Sequence, residues 1–211
     1  MAETSEDPFL WLEEGKGEKA LAWVKEQDAK TEGELKSDPL FQPLLNDALA
    51  VLTAQDRIPY VSYRGGHLYN FWQDDVHVMG LWRRTSVESY KTPAPQWETL
   101  IDLDKLSADE GKKWSFKGAD CLAPEYVRCL VSLSPDGGDA VEVREFDINT
   151  KSFVAGGFTL PTGKSTVSWI DGDTVLVGTD FGEGSTTTSG YPRIAKLWKR
   201  GAPVSEAKLV F

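Results

Sequence analysis

The chain has 211 residues, 40% of them hydrophobic and 27% charged, which excludes global disorder and allows one sizeable domain or a small domain plus part of another. Its formal net charge of −10 repels phosphate backbones and anionic lipid, so neither nucleic acid nor a membrane is an expected partner; the charge serves solubility or a weak preference for cationic peptides. Two cysteines, Cys121 and Cys129, are no disulfide framework, and pairing across a hairpin or reduced thiols both fit.

In chain order, residues 1–6 are polar and acidic, with no basic or apolar leader, and no run of about 18 apolar residues follows, so a cytoplasmic location is expected. The first 55 residues read as helix. Over 17–34, Leu21, Val24 and Asp28 share one face with Ala20, Trp23 and Gln27 beside it, a modest amphipathic stripe among good helix formers. A second helix is clearer: Asp38 is placed to cap it, Pro39 suits its first position, and Phe41, Leu44, Leu45, Ala48, Leu49 and Leu52 recur at three- and four-residue spacing. Neither helix is long enough to be stable alone, so each needs a partner surface.

After Gln55 the texture becomes β-prone, and eight Trp suit such a fold. Strands are expected at 59–63, 67–73, 76–84 and 97–103, with Gly65-Gly66 and Asp74-Asp75 as turns. A second group follows at 114–122, 127–134, 140–147 and 152–158, with the turn Pro135-Asp136-Gly137-Gly138. A third covers 166–170, 174–179, 193–199 and 207–211, with a long polar loop before Arg193. Three repeats of about four short strands, roughly 50 residues each, are the signature of propeller blades, and the recurring turn chemistry favours that over a β-sandwich. Three blades do not close a ring and would leave unpaired edges, so a longer protein or a partner chain is expected to complete it.

The segment Asp7-Pro8-Phe9-Leu10-Trp11-Leu12-Glu13-Glu14 resembles the "DPY-x-WLE" opening of the prolyl oligopeptidase family, S9 serine-type peptidases. Ala22-Trp23-Val24-Lys25-Glu26-Gln27 is similar to the family's following helix, with Asp28 where many members carry Asn. Residues 69–90 and 95–106 resemble its first blade, and the likeness covers essentially the whole chain. The resemblance implies a mainly β fold: about three four-stranded antiparallel blades of an expected seven over 56–211, preceded by a two-helix segment, 1–55, that packs on a C-terminal α/β-hydrolase domain. That domain would hold the Ser, Asp and His of the triad and hydrolyse short peptides, while the propeller gates access. By rough alignment Ser165, Thr166 and Val167 match an inner strand facing the substrate cavity, which makes Thr166 a candidate substrate-side contact.

The residues themselves offer no catalytic centre. A nucleophile elbow needs G-x-S-x-G, and the closest approaches, Gly163-Lys164-Ser165 and Gly182-Glu183-Gly184-Ser185, each miss it. His67 and His77 with Asp74 and Asp75 read as turn carboxylates and strand histidines rather than a metal site, and no cofactor is expected. Glu98, Asp102 and Asp104 read as solvated strand acids. A carbohydrate-active propeller would instead face two of them across a tunnel, and a non-catalytic propeller that binds a partner is the other alternative. The polar loop 182–190 reads as a connection between strands or as an edge of a peptide entrance. With its hydrolase partner absent, the isolated chain is expected to expose Leu44, Leu45 and Leu52 and to self-associate.

Overall fold

A computed structural model describes residues 7–211. The chain forms two compact units, the first ending at Ala54 and the second running Gln55–Phe211.

In the first unit a 3-10 turn, Leu10–Glu13, precedes α1, Glu18–Ser37, and α2, Phe41–Thr53. The Trp11 ring meets Trp23 of α1 edge-on at 6.1 Å and lies under Lys19 Nζ at 4.3 Å, which binds the opening segment to the helix. Asp38, expected as the cap of α2, instead closes α1 through its N–H to Leu35 O. Its carboxylate accepts Leu40 N–H at 2.8 Å, and hydrogen-bonded helix resumes only at Phe41. Leu44, Leu45, Leu49 and Leu52 lie exposed.

The second unit is mainly β. Among the described residues it contains three antiparallel sheets, each built from consecutive strands. The first comprises β1, Ser62–Arg64; β2, His67–Trp72; β3, Leu81–Ser86; and β4, Glu98–Asp102. The second comprises β5, Ser115–Cys121; β6, Arg128–Ser134; β7, Val141–Asp147; β8, Ser152–Phe153; and β9, Thr159–Gly163. The third comprises β10, Thr166–Asp171; β11, Thr174–Gly178; β12, Lys196–Lys199; and β13, Lys208–Leu209. Two short helices, α3, Val87–Tyr90, and α4, Leu103–Glu110, flank β4. Gly65 and Gly66 both have positive φ, 52° and 81°, as a two-residue hairpin turn between β1 and β2 demands.

Three expectations are corrected. Residues 76–80 are not strand, because Asp74 accepts the N–H groups of Val76 and His77, and Asp104 accepts those of Met79 and Gly80, so the segment's donors are taken out of any ladder. The strand expected over 97–103 ends at Asp102 and Leu103 opens α4, where Asp102 caps Lys105 N at 2.9 Å and Gly111 ends the helix at φ 64°. Residues 152–158 are not one strand: β8 pairs with the end of β7 and β9 with its beginning, separated by a turn around Gly157.

The sheets pack face to face through two cores. Tyr69, Trp82, Trp114, Cys129, Val131, Leu133 and Phe146 bury together between the first and second sheets. Leu130, Val143, Phe158, Leu160, Val175, Val177 and Trp198 bury together between the second and third. The second sheet is therefore covered on both faces, which explains the nearly unbroken apolar run of β6. Cys121 and Cys129 stand directly opposite in β5 and β6 and form a disulfide. Among the described residues no helix is long and apolar enough to cross a membrane.

Candidate functional site

The first strand of each sheet, β1, β5 and β10, is an edge strand. Trp169 Nε1 donates to Asp120 O at 3.0 Å, tying the β10 edge to the β5 edge. Thr166, at the start of β10, lies exposed opposite Gly178 of β11. A Cβ at Gly178 would come within 2.9 Å of Thr166 Oγ1 and 3.0 Å of Pro192 Cβ, so Thr166 sits close against the base of the 179–195 connection. Ser165 Oγ and Thr179 Oγ1 share a hydrogen bond of 2.7 Å.

Three connections meet beside this edge. Tyr191 Oη donates to Asp139 Oδ2 at 2.5 Å, bridging the β11–β12 loop to the β6–β7 turn. Lys164, between β9 and β10, places Nζ 3.7 Å from Asp139 Oδ2 and 4.2 Å from the Tyr191 ring centroid. The Tyr191 hydroxyl and Lys164 hold the Asp139 carboxyl below the usual carboxylate range, while Asp139 raises Tyr191.

On the opposite face of the first sheet a cleft of 580 Å³ is lined by Arg57, Pro59, Trp72, Arg83, Tyr90 and Trp97, among others. Arg83 lies between Trp72 and Trp97, 4.4 and 4.2 Å from their centroids, and its Nε donates to Asn70 Oδ1. Burial brings its pKa down to about 10; Asp74 opposes that shift and Arg57 adds to it. Sequence reasoning missed both groupings, because their members lie in different strands and loops.

The other candidates have structural partners. Asp74 also accepts from Trp72 Nε1 and the His77 ring; burial pushes its pKa up, but the His77 N–H, Trp72 Nε1, the Val76 N–H and the His77 ring together outweigh it and bring it to about 2. Glu98 pairs with Arg84 at 2.6 Å and Lys151 at 2.8 Å, while Asp102 and Asp104 are used by α4 and the 76–80 turn, so none of the three stands as a free strand acid. Ser185 is buried, and its Oγ is used within its own loop by Phe181 N, Gly182 O and Asp180. Among the described residues no three His, Cys, Asp or Glu converge as metal ligands.

Residues 2–211 match the family described as prolyl oligopeptidase, N-terminal β-propeller domain. The chain belongs to this family. It is 46% identical over 206 residues to an uncharacterized peptidase of Sinorhizobium fredii, covering 97% of this chain and 28% of that protein. It is 36% identical over 209 residues to an uncharacterized peptidase of Rickettsia prowazekii, covering 95% and 29%. Among solved structures, a post-proline cleaving enzyme from Rickettsia typhi superposes with a TM-score of 0.86 at 37% identity, over 95% of this chain and 30% of that one. Oligopeptidase B from Leishmania major shares the fold at 14% identity, with a TM-score of 0.68 over 96% and 28%. The chain thus spans under a third of the length of these relatives.

Proposed function

We propose that this chain is the propeller portion of a prolyl-oligopeptidase-like serine peptidase, and that it admits short peptides to a catalytic centre carried elsewhere in the full-length protein. In this reading the three sheets are the first blades of a seven-bladed ring over 56–211. Residues 1–55 are a helical lead-in that docks on a C-terminal α/β-hydrolase domain. The observation that carries it is the match to the Rickettsia typhi post-proline cleaving enzyme at 37% identity across 95% of this chain. The exposed leucines of α2 suit a segment that packs on another domain. The hydrolase domain would cleave through an acyl-enzyme formed on its serine, with no contribution from Ser165 or Ser185, whose hydroxyls are engaged in this domain.

Thr166 is the proposed substrate-side contact, on the grounds of its exposed position at the β10 edge. The test uses the full-length protein. It should hydrolyse short chromogenic peptides, favouring Pro before the scissile bond, and should be inactivated by a fluorophosphonate that labels a serine outside residues 1–211. Thr166→Trp should raise KM for longer peptides and leave that for short ones unchanged. No labelling and no hydrolysis would overturn the peptidase reading, and an unchanged KM would remove Thr166 from it.

A further inference from the structure

Three arginines recur at matching places in the three sheets. Arg83 lies in β3 and Arg144 in β7, the third strands of the first and second sheets, and Arg200 follows directly on β12, the third strand of the third. Each guanidinium lies against aromatic rings: Arg83 between Trp72 and Trp97, Arg144 over Trp114 and Phe153 at 4.9 and 5.1 Å, Arg200 over Phe158 at 4.6 Å. Two of the three reach back to a carboxylate that precedes them in the chain. Arg144 forks onto Glu110, at the end of α4 behind the first sheet, with Nη1 and Nη2 at 2.6 and 2.9 Å. Arg200 forks onto Glu145 of the second sheet with the same pair of atoms, at 2.8 and 3.1 Å. Lys151 meets Glu98 in the same order. At both junctions the earlier sheet supplies the acid and the later one the base.

Arg83 has the rings but not the acid. Its Nε is engaged by Asn70 Oδ1 at 2.9 Å, and among the described residues Nη1 and Nη2, the atoms that fork in the other two arginines, carry no hydrogen bond. Arg83 lines the 580 Å³ cleft on the face of the first sheet that is turned away from the second. Asp74, the carboxylate whose charge acts on it there, is already taken by Trp72 Nε1, the N–H groups of Val76 and His77, and the His77 ring. Arg57 lies 4.5 Å over the Trp72 ring and brings a second positive charge to the same cleft, in a chain whose net charge is −10. Ile58 beside it is 82% exposed, so the recess is flanked by apolar surface that also lacks a cover.

We infer that Arg83 is the receptor for a carboxylate from the sheet that precedes the first one around the ring, the last sheet of the full-length propeller, so that the ring is closed by the same arginine fork that joins its other sheets. The inference rests on the ring in the reading above and names the contact that closes it. Closure lays the last sheet on the exposed face of the first, and that face carries two guanidinium groups among rings. A neutral closing surface would strand both charges in a desolvated seam, whereas a carboxylate reaching Nη1 and Nη2 satisfies Arg83 with two parallel hydrogen bonds and fixes the alignment of the two sheets. Trp72 and Trp97 hold the guanidinium plane in place before the acid arrives.

The experiment uses the full-length protein with the photoreactive residue p-benzoylphenylalanine in place of Ile58, irradiated and then mapped by mass spectrometry. The cross-link should fall in the last sheet of the propeller. A cross-link to the hydrolase domain or to a second copy of the chain, or none, would overturn the assignment. Amide exchange is then compared between wild type, Arg83→Gln, which removes charge and fork, and Arg83→Lys, which keeps the charge alone. Exchange should rise several-fold in the first and last sheets together in Arg83→Gln, with Arg83→Lys between it and wild type. A rise confined to the first sheet, as loss of the ring stack alone would give, would overturn the fork, and so would unchanged exchange. If Arg83→Gln does not fold, Arg83→Lys and the cross-link decide. Neither readout uses catalysis, so a full-length protein that cleaves no peptide and labels no serine would remove the peptidase reading and leave the closing contact to be judged on these results.

Discussion

Between the first and second sheets the contact is made of rings. Phe71 and Phe116 stack at 5.2 Å, and Trp82 stands 5.7 Å from both Phe116 and Phe146. The ion pairs at this junction lie at its rim: Arg144 forks onto Glu110 at 2.6 and 2.9 Å over Trp114, and Lys151 meets Glu98 at 2.8 Å. Between the second and third sheets the packing is largely aliphatic, and a carboxylate lies inside it: Glu145, whose side chain is fully buried. Arg200 grips it from the third sheet at 2.8 and 3.1 Å, Arg128 from β6 at 2.7 Å, and Phe158 N donates to it at 2.9 Å. Burial alone would raise the Glu145 pKa; Arg200, the Phe158 N–H and Arg128 outweigh it and hold the group ionised. Rings supply area that tolerates small displacements, whereas a forked charge pair accepts one alignment of the two sheets. Both junctions carry such a fork, but the first keeps it at the rim around a core of rings, whereas the second buries its carboxylate inside the packing.

The largest blow to that contrast is Trp82→Ala. It removes the ring shared by three aromatic contacts and should cost about 4 kcal/mol in chemical denaturation, with the amides of β2, β3 and β5 losing protection first. Next comes Glu145→Gln, which keeps the shape but leaves two guanidinium groups facing a neutral amide. Because both arginines are partly exposed the cost should be about 2 kcal/mol, less than for a fully buried pair. The sign of its pH dependence follows from the lowered pKa. The gap between wild type and variant is complete above the ordinary value of 4.5 and closes as pH falls through the lower folded value. A gap that widens with acid would show that Glu145 is not held ionised. The smallest effect is that of Arg200→Lys, which keeps the charge and loses the fork; about 1 kcal/mol is expected, with local exchange near Gly172 as the more sensitive readout.

Much of the second unit was readable residue by residue. Turn signals such as Gly65-Gly66 and Pro135-Asp136-Gly137-Gly138 punctuate strands whose alternation survives in the structure. Where reading failed, a side chain from a distant position had intervened. The run Val76–His77–Val78–Met79 has strand composition, yet Asp104 takes up two of its neighbouring N–H groups from 24 and 25 residues away. Helix α4 was hidden because the apolar residues of β4 continue into it, although its cap at Asp102 and its stop at Gly111 were both in view. The Asp139–Tyr191 pair, 52 residues apart, and the stack of Arg83 between Trp72 and Trp97 depend on which strands adjoin, and no local pattern carries that information.

Apart from β9, which pairs back to β7, each sheet pairs strands that follow one another in sequence, which gives the order of events during synthesis a definite form. A hairpin can close as soon as its second strand has emerged, so the sheets can mature one after another on the ribosome. The Glu145–Arg200 contact cannot, because its partners are 55 residues apart. At translation rates of about 5–20 residues per second, Glu145 spends roughly 3–11 s with Arg128 as its available arginine partner before Arg200 arrives. During that interval the aliphatic face of the second sheet is uncovered, and the nascent chain is at its most vulnerable to association with its neighbours.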